Sequence, residues 1–243
     1  MMAPLRLSGP LSVFLAFVFI TGAARAQDET TRTSQAWLEY DPAWNLSERW
    51  KFDVEASTRL IKSDPSFWQL RLQPNLQFSP WKWMDLTGGV WFIYTNQLEM
   101  ADLFETRPNV GVRIKHDIWR GVNLNNYLRE ELRIQRDLET GQTTTTGRLR
   151  NRIQAQIPIN KKSLSEDNTW YAIVDAEFFW QRDQVVDDGF NSRRRYRMGI
   201  AWRKNSTWTF QFLYIFQHSR ESASSPFSVS DDIFNFRVVQ NIK

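Results

Sequence analysis

The side chains of this sequence best equipped to do chemistry are its arginines. Arg148, Arg150 and Arg152 stand on alternate positions, as do Arg195 and Arg197, while Arg129 and Arg133 sit two residues to either side of Glu131. In an extended strand alternate side chains share one face, so each run presents its guanidiniums together. A guanidinium keeps its charge and grips a carboxylate or phosphate with two parallel hydrogen bonds. The same parity adds Arg71 and Arg107, then Arg49, Lys51, Arg59, Arg113 and Arg237, with Asp53, Glu55, Glu105, Asp175 and Glu177 among them. Two chemistries are open to such a face. The charges can neutralise one another and fill the space between strands. Alternatively the arginines, which outnumber the acids by roughly two to one, leave a positive field that attracts small anions.

Other candidates are sparse. A nucleophile and base occur side by side only at His218-Ser219, with Glu221 close enough in sequence to orient the base. Adjacent residues of a strand point to opposite faces, so this pair needs a bend to meet. The chain has no cysteine, which removes disulfides, thiolate nucleophiles and cysteine-based metal sites. His116 and His218 are the only histidines, and two isolated ones do not make a metal centre. Gly88-Gly89 falls inside a strand pattern, not in a phosphate loop. Asn205-Ser206-Thr207 has the form of a glycosylation sequon but reads as a turn. No nucleotide or dinucleotide motif is present, and no cofactor is expected. The formal charge of +4 becomes +2 once Arg6 and Arg25 are removed, too balanced to argue for nucleic acid.

The elements that must position the arginines are amphipathic strands. From Trp50 to Leu60 even positions are apolar or small and odd positions are charged or polar. Trp68–Phe78, Phe104–Lys115, Arg148–Ile157 and Arg195–Trp202 repeat the alternation, and Trp208–Phe216 carries an aromatic face. Segments around 84–95, 122–135, 170–180 and 232–242 follow it less cleanly. No helical period lies between them. Several runs reach the ~9–11 residues of a tilted membrane strand. The mean hydropathy of −0.51 is no obstacle, because only alternate residues of such strands are apolar. At the N-terminus Arg6, the apolar run Leu11–Ile20 and the small-x-small Ala24-Arg25-Ala26 predict a signal peptide cleaved before Gln27. That run is shorter than the ~20 residues a membrane-spanning helix needs.

The expected organisation is a signal peptide over 1–26, a polar flexible segment over 27–34 and one barrel over 35–243. The expected fold class is all-β: an antiparallel up-and-down transmembrane β-barrel of 10–12 strands, apolar outside and charged within, in a bacterial outer membrane. About eleven segments are visible, whereas bacterial barrels have even strand numbers. Either Trp37–Asp41 falls short of a strand, or a partner precedes it. Compact connections at 42–47, 79–83, 117–121 and 203–207, with a longer one at 160–169, alternate with mostly longer polar ones at 96–103, 136–145, 181–192 and 218–231, and a shorter one at 62–67. Short connections mark the periplasmic end of such barrels. Trp44, Trp50, Trp81, Trp83, Trp119, Trp170, Trp202 and Trp208 all lie in or beside the compact set. Their rings suit the membrane interface, where an apolar ring and a polar N–H are both satisfied. A soluble β-sandwich also alternates, but has little reason to gather its tryptophans at one end.

Four stretches carry a family resemblance: Trp37-Leu38-Glu39-Tyr40, Tyr127-Leu128-Arg129-Glu130-Glu131-Leu132-Arg133, Arg148-Leu149-Arg150-Asn151-Arg152 and Arg195-Tyr196-Arg197-Met198-Gly199-Ile200. On these the chain resembles the small outer-membrane β-barrel family catalogued as domain of unknown function 2490. The resemblance implies a barrel, an outer-membrane location, outer-membrane lipid as a neighbour, and biogenesis through periplasmic chaperones and the barrel-assembly machinery. It implies no activity and no catalytic residues. The chain departs from the pattern at Gln240-Asn241-Ile242-Lys243, where such barrels usually end in an aromatic residue.

The functional expectation is a non-enzymatic barrel, a narrow anion-preferring channel lined by Arg71, Arg107, Arg129, Glu131, Arg133, Arg148, Arg150, Arg152, Arg195 and Arg197, with its constriction at Arg148–Arg152. The alternatives are a structural or surface-interaction barrel plugged by its own arginines and glutamates, and a lipid-modifying hydrolase using His218 and Ser219.

Overall fold

The computed structural model describes residues 31–62, 67–97, 100–118, 121–183, 186–220, 227 and 229–242. They form eleven strands and no α-helix: β1 (Thr31–Asn45), β2 (Trp50–Lys62), β3 (Phe67–Trp81), β4 (Met84–Gln97), β5 (Leu103–Asp117), β6 (Asn123–Asp137), β7 (Thr143–Pro158), β8 (Thr169–Asp183), β9 (Val186–Arg203), β10 (Trp208–Ser219) and β11 (Val229–Ile242). Each strand pairs antiparallel with the next, and β1 pairs with β11 in parallel to close the barrel. The parallel seam follows from the odd count. In a meander of eleven strands the first and last run the same way, so closure has no antiparallel option. Trp37–Asp41 lies inside the full-length β1, which also takes in residues 31–34. The expected signal peptide lies outside the described residues.

The alternation of residue types sets the faces. Outward side chains are apolar and exposed, Val110 at 64% and Leu60 at 56%, with Leu38, Leu70, Leu72, Leu132, Ile153 and Phe212 alongside. Inward ones are polar or charged and buried, among them Arg71, Glu105, Arg107, Glu131, Arg148, Arg150, Glu177 and Arg195. This inverts the usual arrangement, in which ionised groups stay at the surface.

One wall departs from the charged interior read from the sequence. Trp37, Tyr171, Ile173, Ala201, Leu213, Ile215 and Ile233 pack together inside, with Leu164 of the 159–168 connection against them. β8, β10 and β11 carry apolar residues on both faces, so alternation does not reveal which set turns inward. A barrel this narrow fills part of its interior with side chains, and apolar ones serve as well as charged ones.

The expected difference in connection length between the two ends is absent. Connections at one rim, here called lower, span two to ten residues, at 46–49, 82–83, 118–122, 159–168 and 204–207. Those at the upper rim span two to nine, at 63–66, 98–102, 138–142, 184–185 and 220–228. The polar stretch 181–192, expected as a long loop, is mostly drawn into β8 and β9. Above the apolar belt a strand has polar residues on both faces, so the hydropathy pattern stops while backbone pairing continues. The odd strand count also places the start of β1 at the upper rim and the end of β11 at the lower.

Candidate functional site

All ten of the singled-out lumen residues converge on one interior. β6 and β7 pair so that Glu131 stands opposite Arg148 and Arg129 opposite Arg150, while β7 and β8 set Arg152 opposite Glu177. Glu131 is the hub, with a fully buried side chain. It accepts from Arg148 through both Nε and Nη2, the Nε contact being 2.8 Å, and from Arg150 at 2.7 Å; Arg129 pairs with it at 2.8 Å and Arg107 at 3.8 Å. Glu105 ties Arg107 at 2.6 Å and Arg133 at 2.9 Å. Glu177 takes Arg150 at 2.5 Å, Arg197 at 2.9 Å and Arg195 at 3.7 Å, and Asp175 takes Arg197 at 2.6 Å. Glu105, Glu131 and Glu177 thus each serve two or more guanidiniums, and the chain Arg133–Glu105–Arg107–Glu131–Arg150–Glu177–Arg197–Asp175 crosses four neighbouring strands and reaches β9.

The Arg148–Arg152 ladder is not uniform. Arg148 and Arg150 are bound into the network, whereas Arg152 makes no ion pair among the described residues and lies 5.9 Å from the Tyr127 ring centroid. Arg49 does not face the interior, correcting its placement by parity; it lies exposed in the 46–49 connection, where strand alternation has ended.

Aromatic residues that alternation did not place inward hold the guanidiniums. Arg59 lies 3.4 Å from the Trp37 ring centroid, Arg71 4.2 Å from Trp91, and Arg150 4.6 Å from Phe179. Cation–π contact steadies a charge without neutralising it. Tyr127 spans two strands, its hydroxyl 2.8 Å from Thr87 Oγ1 and its ring over Gly111. A Cβ at Gly111 would lie 2.7 Å from that ring, so glycine is what allows the tyrosine to lie flat across β5. The signal available in the sequence was only parity: Trp91, Tyr127 and Phe179 are odd-numbered in strands where most of the other odd residues are charged or polar.

Between these groups lies a cavity of about 390 Å³. Among the described residues thirteen arginines and five carboxylates line it (Glu39, Asp53, Glu55, Glu105 and Glu177). Its lining reaches the upper strand ends at Phe67, Gln97, Leu103 and Gln135 and, towards the lower rim, extends to Asp53, Asn75, Arg113, Tyr127, Arg152 and Arg237. The apolar cluster with Leu164 occupies the interior on the β1 and β8–β11 side, and its Trp37 also lines the cavity. The parallel seam carries its own links: Arg237 Nε donates to Asp41 inside, and Tyr40 donates to Gln240 outside.

The tryptophans gather as read from the sequence. Trp44, Trp50, Trp81, Trp83, Trp170, Trp202 and Trp208 stand at the lower rim, while Trp119 lies outside the described residues. Trp81 stacks on Trp83 at 5.3 Å between centroids and Trp170 on Trp202 at 5.7 Å. A second aromatic set stands near the upper rim, with Trp68 beside Tyr94 and Tyr214 beside Phe234.

His218 and Ser219 end β10 as consecutive residues and point to opposite faces; the His218 ring packs 4.4 Å from Phe216, and Glu221 lies outside the described residues. No group of three or more His, Asp or Glu side chains is placed to hold a metal among the described residues.

No curated protein matches this chain, and no solved structure does. The model of one family covers residues 34–227, taking in β1 from its fourth residue through β10, all ten lumen residues and the four stretches that carried the resemblance. The chain therefore belongs to the family described as protein of unknown function (DUF2490).

Proposed function

We propose that this protein is a bacterial outer-membrane barrel whose lumen admits small anions. The observation that carries the reading is the cavity lined, among the described residues, by thirteen arginines and five carboxylates. Rings of arginine in a confined space favour anions, and low-dielectric walls strengthen the field. Two features support the membrane setting. The exterior is an apolar belt with few charges, and a surface of this kind is stable against lipid and not against water. Trp170 and Trp180 of β8, ten residues apart, mark the two aromatic levels; at ~3.3 Å per residue and ~40° of tilt they stand about 25 Å apart, the height of the apolar band of such barrels. Export by the N-terminal signal, then periplasmic chaperones and the barrel-assembly machinery, supply the route, with outer-membrane lipid as the resident partner.

The test is reversal potential in a planar bilayer under a salt gradient, with the refolded mature protein. Anion preference is expected, and Arg152→Gln should reduce it without breaking an ion pair. Cation preference would overturn the proposal. A second reading, a closed barrel, is favoured by the apolar cluster and Leu164, which fill one side of the interior. A folded, heat-modifiable barrel with no conductance would establish it in place of the channel.

A further inference from the structure

We propose that the β2–β4 wall of the lumen holds a binding site for a small oxyanion, a carboxylate or a phosphate, centred on Arg71 and Trp91. This deepens the anion-admitting reading, on which it rests for the ligand's route. Most lumen arginines are already engaged by carboxylates, but Arg71 is not. It is 7% exposed, its Nε and Nη1 are buried without a hydrogen-bond partner, and it makes no ion pair among the described residues. Trp91 is 3% exposed, and its indole Nε1 is likewise buried with no partner. Ser57, directly opposite Arg71 in the β2–β3 register, adds a third unpartnered polar atom, its Oγ.

Two of these three residues carry only donors on their side chains, and the hydroxyl can donate as well. A buried donor without an acceptor is destabilising, because it has given up its bond to water and gained none in return. Several on adjacent strands beside a cavity are therefore a cost that an acceptor-rich ligand removes. The geometry is fixed in advance: the guanidinium lies 4.2 Å from the Trp91 ring centroid, so its planar donors are oriented before anything binds. Glu55 and Glu39 share this part of the lining, yet neither is hydrogen-bonded to Arg71. Above Arg71 towards the upper rim this wall carries Arg59, Gln69 and Thr95, with Gln69 donating to Thr95 Oγ1 at 3.1 Å, so an anion arriving from that rim meets no carboxylate on this wall before Arg71.

Isothermal titration of the refolded full barrel in detergent with inorganic phosphate, and separately with succinate, at constant ionic strength tests this. Saturable binding is expected for at least one probe, weakened tenfold or more in Arg71→Gln and three- to tenfold in Trp91→Phe, which keeps the ring and deletes the Nε1 donor. Lys82→Gln, in an exposed lower-rim turn, should bind as the wild type does. Should Arg71→Gln fail to refold, Trp91→Phe alone decides. Absence of saturable binding, or equal affinity in wild type and variants, overturns the site. Conductance with anion preference but no saturable binding would remove the site and leave the channel; binding without conductance would keep the site and remove the channel.

Discussion

Replacing Glu131 by glutamine should be among the most damaging conservative changes in the barrel. The side chain is fully buried, with Arg129, Arg148 and Arg150 each making a contact of 2.8 Å or less and Arg107 standing at 3.8 Å. The substitution keeps size and shape and removes one negative charge. Arg107 and Arg150 retain Glu105 and Glu177, but Arg129 and Arg148 have no other ion pair among the described residues. Two buried guanidiniums lose their counter-charge, and breaking a buried pair in this way costs about 3–5 kcal/mol. That is roughly two to four powers of ten in the folding equilibrium. The assay is denaturant unfolding of the refolded protein in detergent micelles, followed by tryptophan fluorescence, with Glu48→Gln in the exposed 46–49 connection as control. A second arm adds Arg148→Gln. With the orphaned cation removed, the double variant should lose less than the two single losses combined, by at least about 1 kcal/mol. A loss under 1 kcal/mol for Glu131→Gln, matching the control, would refute the view that the network holds the barrel together.

Gly111→Ala should cost about 1–3 kcal/mol by forcing Tyr127 off its seat and breaking its contact with Thr87, readable as a lower unfolding midpoint. Arg237→Gln should weaken the parallel seam by about 1.5–3 kcal/mol, leaving Asp41 without its donor; adding Asp41→Asn should recover part of the loss in the same unfolding assay. Asp102, in the 98–102 connection, accepts from the Tyr94 hydroxyl, from the Gln97 amide at 3.2 Å and from Asn96 Nδ2 at 2.9 Å, and these donors, the Tyr94 hydroxyl foremost, hold its carboxyl below the usual carboxylate range. A depressed value means the contacts are at full strength above about pH 4, the unfolded value, and fade as pH falls through the folded one. Amide exchange at Gln97 should therefore lose protection on acidification below about pH 4, and Asp102→Asn should abolish that dependence.

What the sequence determined by itself is the assignment of faces. A strand has a period of exactly two, so once Leu149, Asn151 and Ile153 face one way, Arg148, Arg150 and Arg152 must face the other, whatever the strands around them do. The gathering of tryptophans at one rim follows from local spacing in the same way. Three things waited for the closed barrel. The partner of each arginine depends on register: Glu131 meets Arg148 because β6 and β7 pair at that offset, and no property of either segment states it. The strand number and its parallel seam are properties of the whole circuit, since β1 and β11 are joined only by closure. The part of the inner apolar cluster on β8, β10 and β11, and the strand extensions above the apolar belt, lie where both faces of a strand have the same character. There the alternation that made the rest legible carries no signal, and only packing in three dimensions decides which side turns in.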